Sequence, residues 1–569
     1  MPMLQWARIT MAERILIGVA WPYANGSLHV GQIAGAYMPA DVFARFHRMK
    51  GSEVLMVSGS DQHGTPITVR ADQEGVEPQT IIDRYHSEFC DNWERLGISF
   101  DLFTTTGTQN HKDTVQDMFL TLLQKGLIYP GTQVLPYCST DERYLPDRYV
   151  NGTCPHCGFT QARGDQCDNC SRPLDPVNLI DPVCSLDGTS PEFREREHYF
   201  LKLSAFGEQL SKWYEDKLYW RQNVRNFTTT FVEQGLIDRA ITRDISWGIS
   251  VPVDDYDDRR IYVWFEAVIG YLSASKEWAQ MQGMPDKWQE FWTETCKSYY
   301  FIGKDNIPFH TIIWPAILMG YQNLNLPYDV PANEYMNLEG QKISTSRNWA
   351  VWLPDYLDSY DPDPLRYYLS ATMPETSDSG FSWSGFVERN NNELVGNYGN
   401  LVHRVLSLTQ RHFDGRCPDP DDGLDTRSKE LIELAENCFD RTGGYLGDAH
   451  FRMALNENMG LAREVNRYLE EKAPWKTARE DLKETGKTLY TALVVISALR
   501  VLMFPFLPFT SQRLHEMMGF NGLVQDIGWQ PNSVQVDQQM LTPTPLFQKL
   551  DEQEVVERET LRLTQTSQG

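Results

Sequence analysis

The stretch AWPYANGSLHVGQIAG, residues 20–35, decides the fold. An apolar run (Ile15, Leu16, Ile17, Val19) precedes it, and a segment with helical apolar spacing follows. Residues 14–22 read as a buried strand, 28–49 as a helix and 53–60 (EVLMVSGS) as a second strand. Such a βαβ unit crosses over right-handed and sets its strands parallel. Ser27 is the expected N-cap of the helix and Gly51 its break. Asn25, Gly26 and Ser27 make a tight turn, and His29 stands where the helix begins. Backbone N–H groups at a helix start carry partial positive charge, which suits a phosphate. Gly31 would let a base or ribose approach the backbone closely. Asp61, in SGSDQHG, ends the next strand at the same carboxyl edge, where open α/β sheets bind ligands. On its own, His29 reads equally well as a capping or packing residue.

The 569 residues exceed what one core can organise, and three or four domains are expected. With 41% apolar and 23% charged residues and 16 Trp, the composition is that of a folded globular protein. No run of about 18 apolar residues signals a membrane span. The opening MPMLQWARITMAER lacks the apolar core of a secretory signal, and Met11 is a second candidate start. A cytoplasmic protein is expected. The net charge of −25 excludes indiscriminate binding to nucleic acid or acidic membranes, but not a selective RNA partner on a local basic face.

The pattern continues with helices around 78–96 and 110–126, and then its character changes. The division expected is a first half of an α/β domain (1–126), an insertion (127–240) and the second half (241–330). A loop-rich region (331–385), a helical domain (386–545) and a tail (546–569) follow. IYVWFEAVIGYL (261–272), SYYFIGKD (298–305) and a helix from Pro308 to Met319 carry the second half. Helical periodicity from 386 to 515 signals a bundle. The charged tail is expected to fray.

Four of the ten cysteines form CPHCGFTQARGDQCDNC: Cys154, Cys157, Cys167 and Cys170, as C-x2-C-x9-C-x2-C. Two such knuckles complete a closed tetrahedral zinc site, which has no open position for substrate and is therefore structural. Two half-patterns flank it, Cys138 with Asp141 (CSTD) and Cys184 with Asp187 (CSLD). They are a Cys2Asp2 site or a knuckle pair that has lost two thiolates. Structural zinc prefers thiolate, so the second reading, with one zinc per chain, is the expectation. GQKISTSRN adds Lys342, Ser344, Ser346 and Arg347, a loop able to close over a polyphosphate.

Together these features resemble the class I aminoacyl-tRNA synthetases, whose signatures HIGH and KMSKS appear as HVGQ (29–32) and KISTS (342–346). The resemblance extends from about 14 to 515 with the methionine-specific branch, through AWPYANGSLH, SDQHGTP, LPDRYVNGTCPHC, YVWFEAVIGY, FIGKDN, FHTIIWPA, DPLRYYL and EKAPW. It implies a Rossmann-type catalytic domain, an inserted zinc-knuckle domain and a C-terminal α-helical bundle. It implies that methionine and ATP, with Mg²⁺, form methionyl-adenylate, and that methionine then passes to the terminal ribose of its tRNA.

By the same resemblance His29, Asp61, Arg243 and Lys342 are catalytic. His29, Gly31, Gln32, Gly303, Asp305, Lys342, Ser344 and Thr345 bind ATP, with Lys304 a further phosphate partner. Ala20, Trp21, Tyr23, Asp61, Trp264, Ala267, Tyr271, His310 and Trp314 hold methionine, Asp61 facing its ammonium. A slot of aromatics suits a polarizable thioether. Asn400 and Arg404, four apart on one helix face, and Trp475 read a CAU anticodon. A monomer is expected, because some members dimerise through an appended C-terminal domain that does not appear here.

Three departures stand out. Gln32 occupies the place of the second signature histidine and cannot carry charge. Thr345 replaces the second lysine of the loop, and Val268 replaces a proline beside the methionine slot.

Overall fold

The computed structural model describes residues 12–566 except 146–148, 165, 166, 168, 171, 173, 346, 421 and 422. Met1, Met11 and Ser346 lie outside them. The apolar run becomes strand β1 (Arg14–Val19), buried along almost its whole length. It ends three residues earlier than its hydrophobicity implies, because Ala20–Tyr23 leave the sheet. Ala20 N–H donates to Phe301 O at 3.1 Å, and Tyr23 and Asp61 form an isolated parallel bridge.

The expected single helix 28–49 is three pieces. A first turn (Val30–Gln32) is capped by His29, a wider π-type turn covers Ile33–Tyr37, and helix α1 spans Met38–Met49. Pro39 accounts for the widening. It has no N–H to give to the carbonyl four residues back, and its ring crowds that turn. Met38 N–H instead reaches Ile33 O, five residues back. Ser27 does not cap: its Oγ donates to Glu88 Oε2 at 3.0 Å.

Strand β2 (Glu53–Ser60) follows, then helix α2 (Pro78–Leu96), strand β3 (Leu102–Thr105) and helix α3 (Gln109–Gln124). Thr108 caps α3 by accepting from His111 N–H at 3.1 Å. The insertion begins with a long hairpin-like pair, β4 (Ile128–Cys138) against β5 (Glu192–Leu201), in antiparallel register over ten residue pairs. At its far end the strands Val150–Thr153, Ala162–Arg163 and Ile180–Cys184 form a small sheet. A satellite core of Leu145, Tyr149, Val150, Ala162 and Leu179 surrounds the buried Cys138, Cys154, Cys167 and Cys184.

The chain then re-enters the first core with helix α4 (Val263–Met281), strand β6 (Cys296–Gly303) and strand β7 (Ala332–Asn333). The five strands are all parallel, in the order β7-β6-β1-β2-β3. From β1 the sheet grows one way through β2 and β3 and the other way through β6 and β7. A crevice therefore opens at the carboxyl ends of β1, β2 and β6, where the direction of winding switches.

Helices α5 (Asn400–His412), α6 (Thr426–Gly447), α7 (Phe451–Lys472) and α8 (Leu482–Met503) form the bundle. Among the described residues, α8 alone has the length and apolarity of a membrane span, and 83% of its apolar window is buried within the protein. A fully buried ion pair fastens bundle to sheet domain: Arg366 Nη2 lies 2.6 Å from Asp41 Oδ2 on α1, and its Nε donates to Phe506 O at 2.8 Å. The tail does not fray. It forms helix α9 (Glu552–Thr566), which packs on the helix Trp383–Arg389 through the buried Val555 and Leu563. Alternating charge hid that apolar stripe in the sequence. Glu559, also buried, accepts from Tyr360 Oη at 2.8 Å.

Candidate active site

His29, Asp61 and Gly303–Asp305 follow β1, β2 and β6, and so share the crevice edge. His29 is half-buried and its Nδ1 accepts the Gln32 N–H at 3.4 Å, while Gln32 Oε1 accepts the His29 N–H at 3.0 Å. This reciprocal cap fixes the imidazole proton on Nε2, which becomes a neutral donor. Desolvation pushes the His29 pKa down to about 4, so this donor is a neutral one. Gln32 supplies the other half of the cap.

The two signatures meet. A Cβ on Gly31 would stand 3.0 Å from Ile343 Cδ1, so the glycine lets the KISTS loop pack closely here. Backbone pairing reinforces the contact: Val30 N–H donates to Val351 O at 3.0 Å and Leu353 N–H to Leu28 O at 2.8 Å. Lys342 ends a two-residue strand paired with Met336–Leu338 and is exposed. Its Nζ lies 5.4 Å from the Tyr335 ring, and Lys304 Nζ lies 4.0 Å from it. The Tyr335 hydroxyl donates to Asp305. Tyr335 is thus the post around which FIGKD and KISTS are arranged, a role the sequence reading missed.

Lys304 itself is taken. Its ammonium donates to Glu334 at 2.7 Å and Asp378 at 2.9 Å, and these carboxylates raise its pKa against the burial that lowers it. Two carboxylates already neutralise it, which corrects its assignment as a spare phosphate partner. Ser344 pairs with Trp349 through the backbone, while Thr345 and Arg347 are exposed.

On the other side of the crevice the aromatics gather. Tyr271 Oη lies 2.8 Å from His310 Nε2, and His310 Nδ1 donates to Asn306 O at 2.9 Å. That second bond leaves Nε2 as acceptor, so the tyrosine donates. Burial holds His310 neutral, with its pKa at about 4. Tyr300 packs on both rings, and the wholly buried Trp314 donates its indole N–H to Tyr300 Oη at 3.1 Å. Trp264 Nε1 donates to Tyr23 Oη at 3.3 Å. Ala20 and Ala267 are partly buried. Trp21 lies against Gly270, where a Cβ would come within 2.6 Å of its ring, and its buried Nε1 has no acceptor among the described residues. Val268 is core.

Asp61 is 3% exposed, and its Oδ1 accepts the His63 N–H at 3.1 Å. Its pKa is pushed up to about 8 by desolvation and by the Glu266 carboxylate. Sequence reasoning missed Glu266, His63 and His111. A lone carboxylate inside the apolar helix VWFEAVIGYL was the available signal for Glu266. Arg243 sits on a two-residue strand, 3.9 Å over the Tyr262 ring, donating to Ala240 O and Thr242 O at 3.0 Å each.

Far from the crevice, Arg404 on α5 lies 5.6 Å over the Trp475 ring and donates to Glu470 at 2.9 Å. Asn400 is one turn back on the same helix and exposed, so the structure brings these three together.

The four knuckle sulfurs lie within 4.8 Å of one another, with Cys154–Cys170 at 3.9 Å and Cys157–Cys167 at 3.6 Å. Tetrahedral zinc with bonds of about 2.3 Å needs sulfurs about 3.8 Å apart, so these residues fit the ion. Cys138, Asp141, Cys184 and Asp187 also converge within 4.8 Å, with both sulfurs buried and both carboxylates exposed. The half-knuckles are therefore one cluster in space. Cys138 Sγ donates to Asp187 Oδ2 at 3.4 Å.

Comparison with known proteins assigns this architecture. Residues 15–406 match the family model of the class I tRNA synthetases (M), which sets the class of the fold and its edge site. Residues 420–564 match the anticodon binding domain of methionyl tRNA ligase. The methionine–tRNA ligase of Thermomicrobium roseum is 52% identical, over 97% of this chain and 99% of its own. That of Dehalococcoides mccartyi is 56% identical, over 97% and 100%. The structure of Mycobacterium tuberculosis methionyl-tRNA synthetase in complex with methionyl-adenylate superposes with a TM-score of 0.78 at 25% identity, covering 94% of this chain and all of that one. The chain belongs to the methionine–tRNA ligase family.

Proposed function

We propose that the chain activates L-methionine with ATP and transfers it to methionine tRNA. A methionine carboxylate oxygen attacks the α-phosphorus of ATP, and the bond to pyrophosphate breaks. A terminal ribose hydroxyl of the tRNA then takes the methionyl group, and AMP leaves. Such chemistry asks the protein for alignment and charge neutralisation rather than covalent help.

The observation that carries this reading is that His29, Asp61 and Gly303 share one crevice edge, against which the loop bearing Lys342 packs through Ile343 at Gly31. Asp61 takes the α-ammonium. Ala20, Trp21, Tyr23, Trp264, Ala267, Tyr271, His310 and Trp314 form the slot and its backing. His29, through Nε2–H, and Lys342 face the phosphates with Gly31, Gln32, Ser344 and Thr345. Gly303 and Asp305 hold the ribose, Arg243 a carboxylate or phosphate, and Mg²⁺ arrives with ATP. Asn400, Arg404 and Trp475 read a CAU anticodon. The sequence divisions at 126, 240, 330, 385 and 545 separate catalytic halves, insertion, loop region, bundle and tail. The tail closes back on the loop region.

One zinc at Cys154, Cys157, Cys167 and Cys170 braces the insertion, and the protein is a cytoplasmic monomer. Methionine-dependent ATP–pyrophosphate exchange, followed by charging of methionine tRNA, tests the activity. Absence of exchange overturns it. Elemental analysis tests the metal count: one zinc per chain is expected, and two would place the second in the Cys2Asp2 cluster.

A further inference from the structure

Behind Asp61 lies a buried chain of ionisable groups. Glu266, on α4, is fully buried. His63 Nδ1 lies 2.9 and 3.1 Å from its two oxygens, and His111 Nε2, from α3, lies 3.8 Å from Oε2. Ser273 Oγ donates to Gly270 O at 3.1 Å, so it accepts from His111 Nδ1 at 2.8 Å. Burial lowers the His111 pKa, so this imidazole is neutral and brings no positive charge to Glu266. Only His63 remains to compensate a carboxylate, and Glu266 engages it through both oxygens. No ion pair reaches Asp61 among the described residues.

The other groups around the cluster are Tyr23, bridged to Asp61 from the turn after β1, and Lys112 and Arg260. Those two cations line, with His63, a cleft of about 270 Å³ whose lining does not include Asp61. A buried carboxylate without a cation costs several kcal/mol and takes up a proton instead.

We propose that binding of the methionine α-ammonium at Asp61 is coupled to release of one proton, and that Glu266 is the positioning residue that creates the coupling by engaging His63. This rests on the reading of Asp61 as the ammonium anchor. In the empty site Asp61 carries the proton that the missing cation would replace. When the ammonium arrives with its three N–H bonds intact, the Asp61 O–H bond breaks and its proton passes to water. Burial and the Glu266 charge, which hold Asp61 protonated up to about pH 8, agree with that assignment. Methionine affinity therefore rises with pH toward 8 and levels above it. Below pH 8 each unit of acidity weakens it about tenfold.

The test is the pH dependence of the methionine KM in pyrophosphate exchange, between pH 6 and 8. The native enzyme should show a fall of about tenfold per unit. Glu266→Gln keeps the shape of the side chain and removes its charge, which lowers the proton affinity of Asp61. Its profile should flatten over this range, and Glu266→Asp should restore the slope. A Glu266→Gln profile that overlies the native one overturns the proposal. Asp61→Asn separates the two levels: an unchanged methionine KM in that variant overturns the anchor reading itself. Should Glu266→Gln not fold, calorimetry on the native protein decides the matter. Methionine titrated at pH 7 in buffers of different ionisation enthalpy should release close to one proton, and zero release overturns the coupling.

Discussion

Around Asp61 the polar groups are buried and most are bonded to one another, whereas around Lys342 they are exposed at the end of a two-residue strand. Tyr271, His310, Tyr300 and Trp314 form a closed chain of hydrogen bonds and ring contacts before any ligand arrives. Lys342 lies exposed over the Tyr335 ring, and Lys304 beside it is neutralised by Glu334 and Asp378. On the proposed function, the difference follows from what each side handles. A thioether is recognised by shape and dispersion, which demand a rigid, dry wall. A triphosphate is held by charge, and charge delivered by a loop can be added at the transition state and withdrawn for release.

The comparison breaks first at Lys342. If it is the mobile phosphate-side cation, Lys342→Ala removes an uncompensated transition-state donor. The expected loss is about 2.7–4 kcal/mol, or roughly 10²–10³ in the exchange rate. Methionine KM should hardly move. A comparable rise in methionine KM would mean that the two sides are not separable.

Tyr271→Phe probes the rigid side. It leaves the acceptor nitrogen of His310 buried without its donor, at a cost of about 1–3 kcal/mol. Steady-state exchange should show methionine KM raised roughly fivefold to a hundredfold, with ATP KM unchanged. The opposite split would place Tyr271 on the phosphate side.

How much of this was legible depends on range. Strand β2 and helix α2 fall on the residues their periodicity marked, because local apolar spacing alone determines them. The helix after His29 was misjudged where Pro39 intervenes, since one missing N–H outweighs the good apolar spacing on either side of it. Site residues at strand ends were legible because motif and topology agree there. Glu266, His111 and Tyr335 were not. Each acts through a residue distant in sequence, and a single Glu in an apolar helix does not reveal the imidazoles from two other elements that face it. The Cys2Asp2 cluster was legible as one of two readings of the half-patterns, and the halves do meet where β4 and the Ile180–Cys184 strand end.

Trp475→Ala acts on neither side and so serves as a control for both. Loss of stacking on one base costs about 1–3 kcal/mol. Charging of methionine tRNA should therefore fall roughly tenfold to a hundredfold, through KM for tRNA, while pyrophosphate exchange stays at its native rate. A fall in exchange would show that the bundle communicates with the crevice, for which the buried Arg366–Asp41 pair is the available link.

The smallest effect concerns the two departures from the signatures. Thr345 is exposed on the KISTS loop, so Thr345→Lys places a cation near the phosphates with no burial cost. An added exposed charge is worth about 0.5–1 kcal/mol, and the exchange rate should rise about two- to fivefold. Gln32→His is different. Gln32 Oε1 holds the His29 N–H, and the first turn of the helix depends on that reciprocal cap. A histidine at 32 adds a donor only by giving up this bond, and caps are worth about 0.5–2 kcal/mol. The double variant should accordingly be no faster than Thr345→Lys alone. If it is faster, His29 does not need the cap to present Nε2–H, and the phosphate side is even less preorganised than its exposure indicates.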